Sequence, residues 1–176
     1  MRLPAEVWSI GSVFSGVEMK FKDFVCFKAL VGELKATDRD AAIVELVSAL
    51  EKAGEIRGED SKKLAKAVIK RENEASTGMG KGVAIPHVKH AAVSEIIATV
   101  GHSTTGMDFS ALDKKPVYSV ILLLSPVNDP DNHLRAMEKI FKHLQYERFR
   151  KFLKQSDTCD KIEDLLREVD ENPSLE

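Results

Sequence analysis

Ser76-Thr77-Gly78-Met79-Gly80-Lys81-Gly82-Val83-Ala84-Ile85-Pro86-His87 is the stretch from which the rest of the chain can be ordered. Glycine at alternate positions lets the backbone take positive φ or approach another group closely, so the first half reads as a loop. Val83 to Ile85 then reads as a buried strand too short to carry more than one cross-sheet pair. Pro86 fixes its own φ and has no N–H to give a ladder, so it should end that strand. His87 is expected at the strand end, presented by a stiff Pro-His dipeptide.

Upstream, Thr37 and Asp38 offer an N-cap, and Ala42, Ile43, Leu46, Val47 and Leu50 fall on one helical face, with Gly54 as the stop. A second helix is expected from about Asp60 to Glu72, burying Leu64, Ala67 and Val68. Arg71 lies seven positions after Leu64 and three after Val68, on the buried edge of the last turn. Two readings stand for it: a charge neutralising the helix C-terminus, or a group serving whatever His87 binds.

Downstream, Ile96 to Val100 reads as a buried strand, Gly101 to Gly106 as a turn carrying His102, and Met107 to Pro116 as a compact loop. Val117 to Leu124 is almost continuously apolar, as expected of a central strand covered on both faces. Ser125-Pro126 ends it. After the loop 128–132, Asp131 or Asn132 should cap a helix with Leu134, Met137, Phe141 and Leu144 on one face and His133 in its first turn. Arg148 to Leu153 and Ile162 to Val169 read as further amphipathic helical pieces. Helices alternating with strands give an α/β class, a sheet with helices on both faces. The expected organisation is an N-terminal extension over 1–18, which lacks periodicity, one domain over 19–169, and a flexible tail over 170–176.

Composition narrows the function. The chain has 176 residues, 43% apolar and 31% charged, with a formal net charge of −2. No run is long enough for direct membrane insertion, and the balanced charge gives no field favouring nucleic acid. Two distant cysteines, Cys26 and Cys159, make no disulfide framework, and no signal peptide is evident, which suits a cytoplasmic protein. His87 and His90 are three apart, but they follow a strand and a proline, and no HExxH or cysteine cluster accompanies them, so no metal is expected. Neither a GxSxG elbow nor a nucleotide-binding glycine motif occurs. His90, His102 and His143 read as surface residues.

What remains is a nucleophilic histidine. Neutral imidazole, with a pKa of about 6.5, can carry a phosphoryl group on nitrogen. Such a site needs positive charge and N–H donors around the phosphoryl oxygens. Arg71 offers a planar fork, His133 an N–H at a helix N-terminus, and Ser76, Thr77 and the glycine-loop amides further donors.

These residues also resemble a known family. Arg71-Glu72, the stretch 76–87, Gly106-Met107-Asp108-Phe109, Leu112-Asp113, Pro116-Val117, Leu122-Leu123-Leu124-Ser125-Pro126 and His133-Leu134 are similar to blocks of the fructose, mannitol and nitrogen-regulatory type of enzyme IIA domain. These domains belong to the bacterial phosphotransferase system, and the resemblance covers about residues 19–169. It implies a mannitol-type IIA fold: a single domain with a mixed sheet of about five strands flanked by helices. It implies that His87 takes a phosphoryl group from the carrier HPr without a cofactor, with His133 and Arg71 as active-site partners. The group would pass to a IIB domain of a sugar phosphotransferase system, or its presence would govern binding to a regulated target protein. Bulky Val88-Lys89-His90 after the histidine departs from the small residue common in the family.

Overall fold

The computed structural model describes residues 17–172. The expectations for 1–16 and 173–176 lie outside the described residues. Single 3-10 turns at Phe21–Asp23 and Phe27–Ala29 lead into helices α1 (Arg39–Lys52) and α2 (Gly58–Glu74). Strands β1 (Gly78–Gly80), β2 (Val83–Ala84), β3 (His87–Lys89), β4 (Ile97–Met107) and β5 (Val117–Ser125) follow, then helices α3 (Pro130–Leu144), α4 (Glu147–Gln155) and α5 (Cys159–Glu171). The result is the expected α/β fold, a mixed five-stranded sheet between helices.

The apolar run 117–124 is β5, and it is the central strand. β4 lies antiparallel along one edge of it; β2 and β3 lie parallel along the other. Val83 pairs with Ser119 and His87 with Leu123, so both segments keep one offset of thirty-six residues. β2 and β3 are therefore one strand interrupted at Ile85-Pro86. Pro86 does not end the pairing as expected: it forfeits one amide bond, while its carbonyl still accepts from Leu123 N at 3.0 Å. Short as it is, β2 pairs on both edges, with β5 on one side and β1 on the other.

Side chains alternate across a strand, and β5 uses both sets. Val120, Leu122 and Leu124 join the core under α1 and α2, with Ile43, Leu46, Leu64 and Val68. Ile121 and Leu123 join the opposite core with Ile140, Phe149, Leu153 and Ile162 of α3, α4 and α5. The outer edge of β4 is covered by the N-terminal segment, where Cys26 N donates to Ala98 O and Val31 N to Val100 O. An edge strand so covered offers no template for pairing.

Four further expectations are corrected. The glycine-rich stretch 78–80 is a strand of a hairpin that turns at Lys81-Gly82, not a loop. Gly101 to Gly106 is no turn: β4 runs through it, with a register shift between His102 and Met107. The cap of α3 is Asp129, whose Oδ1 accepts from Asn132 N at 3.3 Å, with Pro130 in the first turn. Residues 170 and 171 continue α5, and Asp170 is buried against Phe21 rather than part of a tail.

Candidate functional site

His87 opens β3 beside Leu123 of β5, and its side chain shares that residue's face of the sheet. Leu123 belongs to the core beneath α3, whereas Val88 packs into the core of α1 and α2. The imidazole is thus turned toward α3. The interrupted strand fixes its tautomer. Ile85 N donates to Thr77 O on the β1 side, and the Ile85 carbonyl, beyond the end of β1, is met by His87 Nδ1 at 2.8 Å. A carbonyl can only accept, so Nδ1 carries the proton and the lone pair sits on Nε2. Burial lowers the His87 pKa, as do the charges of Arg71 and Lys89, against the opposing pull of the Ile85 bond and Glu72. The ring is therefore neutral and nucleophilic at physiological pH.

His133 comes from the first turn of α3, where its amide donates to Asp129 O at 3.3 Å. The ring lies 5.8 Å from that of His87, centroid to centroid, tilted by 47°. Its Nδ1 is 2.7 Å from the Ser125 hydroxyl at the end of β5. Burial, then the charge of Lys89 and the proximity of His87, lowers its pKa to about 4. His133 is a neutral hydrogen-bonding group, not a cation. The structure brings these two histidines together through one strand: Leu123 sets His87 and Ser125 meets His133.

Arg71 stands in the last turn of α2, on the other layer. Its Nη1 donates to Ala75 O at 3.0 Å, so it caps the helix end. Its charge also lowers the His87 pKa. Ser76 and Thr77 are at the site's edge with their hydroxyls engaged inward. Ser76 Oγ donates to Phe109 O and accepts from Gly78 N, tying β1 to the loop 108–116. Thr77 donates its amide and hydroxyl to the buried Glu72 carboxylate, at 2.6 and 2.7 Å.

Sequence reasoning missed two of the residues that build the site. Glu72 anchors Thr77, and only its place beside Arg71 in the quoted block pointed to it. Ser125 read merely as a strand terminator. Among the remaining histidines, two expectations of surface exposure fail. His102 is buried, with Nε2 donating to Lys154 O at 2.7 Å and Nδ1 3.3 Å from the Glu33 carboxylate. His143 is buried between the edges of Phe21 and Phe149, with Nδ1 donating to Lys139 O at 2.9 Å. His90 is half-buried, and its Nδ1 accepts from Ala92 N at 3.0 Å.

Residues 28–169 match the family model described as phosphoenolpyruvate-dependent sugar phosphotransferase system, EIIA 2. The chain is 30% identical over 152 residues to the fructose-specific EIIABC component of Bacillus subtilis, covering 86% of this chain but 24% of that one. Against the fructose-specific EIIA component of Haloferax volcanii it is 32% identical over 131 residues, covering 74% of this chain and 84% of the other. A nitrogen regulatory protein of Bradyrhizobium diazoefficiens is 31% identical over 138 residues, covering 78% and 88%. Among solved structures, the IIA-Ntr protein of Neisseria meningitidis shares the fold with a TM-score of 0.73 at 24% identity, covering 82% of this chain and 97% of that one. So does the mannitol IIA of Escherichia coli, solved in complex with phosphorylated IIB, with a TM-score of 0.65 at 19% identity and coverage of 80% and 94%. Among the described residues no helix is long and apolar enough to cross a membrane.

Proposed function

The chain belongs to the EIIA 2 family of the phosphoenolpyruvate-dependent sugar phosphotransferase system, and on that premise we propose that His87 is a phosphohistidine carrier. It accepts a phosphoryl group from a phosphorylated HPr-like protein and passes it to a IIB domain, in the cytoplasm and without a cofactor. The observation that carries this reading is the bond from His87 Nδ1 to Ile85 O, which leaves Nε2 as an unprotonated nucleophile beside a neutral His133.

The Nε2 lone pair forms the new P–N bond as the donor's P–N bond breaks, and the donor nitrogen leaves with that electron pair. His87 becomes a phosphoimidazolium whose remaining proton, on Nδ1, stays on the Ile85 carbonyl. Transfer onward reverses these steps. His133 donates to an equatorial oxygen, and Arg71 supplies positive charge as charge spreads over the three oxygens. Ser76 and Thr77 support the phosphate site indirectly, by fixing β1 and its neighbours, since their hydroxyls are engaged with Phe109 and Glu72.

The similarity to nitrogen regulatory proteins favours a second reading, in which the phosphorylation state of His87 governs binding to a target protein. Both keep the same first step. Incubation with phosphorylated HPr should place acid-labile phosphate on His87. Labelling that persists in His87→Ala overturns the proposal. Affinity capture with modified and unmodified protein then separates the two: recovery of a IIB domain favours transport, and of a regulator or kinase, signalling.

A further inference from the structure

His133 acts on the phosphoryl group only through an N–H, and being neutral it has one to offer. Which nitrogen bears it is decided outside the two histidines. Ser125 ends β5 with its side chain fully buried, its carbonyl held by His90 N at 2.9 Å and its hydroxyl 2.7 Å from His133 Nδ1. Among the described residues, His133 is the only hydrogen-bond partner of that hydroxyl. If Nδ1 were the donor, the Ser125 proton would be buried with no acceptor, an arrangement folded proteins avoid. The hydroxyl therefore donates, Nδ1 accepts, and the ring proton is on Nε2.

We propose that Ser125 is a positioning residue for phosphoryl transfer, fixing His133 as the Nε2–H tautomer so that this nitrogen donates to the phosphoryl group on His87. The inference rests on the phosphocarrier reading above. It gives β5 two tasks two residues apart: Leu123 sets the nucleophile's direction and Ser125 sets the donor's proton. Without the hydroxyl, His133 populates both tautomers, and the one with a bare Nε2 turns a lone pair toward phosphoryl oxygens.

Nitrogen-15 shifts of the His133 ring in the unphosphorylated protein read the tautomer directly. The expected spectrum at pH 7 has protonated Nε2 and bare Nδ1; a protonated Nδ1, or averaged shifts, overturns the proposal. In Ser125→Ala the two shifts should move toward each other. The rate of His87 phosphorylation by phosphorylated HPr should then fall about ten- to hundredfold, as on losing one aimed donor. KM for HPr should stay within about twofold, because the hydroxyl is buried away from the docking partner. Ser125→Thr, which keeps an O–H, should restore the single tautomer. If Ser125→Ala accepts phosphate at the unaltered rate, the positioning role fails while the carrier reading stands. If the native protein accepts none on His87, the carrier reading fails instead, and the ring shifts still decide the tautomer.

Discussion

At the scale of single residues, the candidate site holds two imidazoles 5.8 Å apart, both with lowered pKa values. His133, lowered to about 4 by burial, Lys89 and His87, has an unfolded value of about 6.5. Between those two values the unfolded chain binds a proton that the native protein refuses. Native stability from this group is therefore complete above about pH 6.5 and is lost as the pH falls toward 4. His87, also lowered, by burial first, adds in the same direction. Urea unfolding should show a loss on the order of 2–3 kcal/mol between pH 7 and pH 4 attributable to His133. His133→Gln should flatten that dependence, and an unchanged slope in the variant would assign the titration to other groups. Phosphorylation of His87 should correspondingly hold its rate down through pH 6.5, where an exposed imidazole has already lost about half its neutral form.

At the scale of elements, what was legible followed periodicity. Ala42 to Leu50 declared α1 by spacing, and the run 117–124 declared β5 as central, because burial imposes those patterns on side chains. Glycine carries no side chain to report a pattern, and there the sequence misled. In the hairpin β1–β2, Gly78 is a close approach: a Cβ there would meet the Cα and Cβ of Ala111, both at 2.8 Å. In β4, Gly101 lies under Leu34 and Leu46, with a Cβ 2.9 Å from Leu46 Cδ2. Both glycines mark packing within a strand, which looks identical to a turn in one dimension. Ser125 was illegible for a different reason, since its role lies in one hydroxyl meeting a ring from α3. The strand reading is testable. Gly78→Ala must push β1 away from the backbone of loop 108–116, which costs about 1–3 kcal/mol by overpacking. The same shift disturbs Thr77 and Ile85, so His87 phosphorylation should slow as well. A variant as stable and as readily labelled as the native protein would show that β1 does not hold the loop this way.

At the scale of the whole molecule, the sheet separates two cores, and the C-terminal end of the fold is locked onto the N-terminal end. Asp170 accepts from Phe21 N at 2.8 Å and Lys22 N at 2.9 Å, and lies 3.6 Å from Lys139 Nζ. Lys139 in turn sits 5.3 Å from the Phe21 ring centroid, and both charged side chains are buried. One carboxylate thus joins α5, α3 and the first 3-10 turn, which explains why a domain limit drawn at 169 cuts into the packed body. A buried pair gives little net stability, but removing one partner leaves the other charge unpaired in a dry site. Asp170→Ala should therefore cost about 3–5 kcal/mol in urea unfolding. Adding Lys139→Met should recover part of that loss, because the unpaired charge is gone. Recovery should remain incomplete, because the Phe21 and Lys22 amides still lack their acceptor. A loss under about 1 kcal/mol in the single variant, or no recovery in the double, would mean that the two ends are held by the apolar contacts of Phe21 and Phe149 instead.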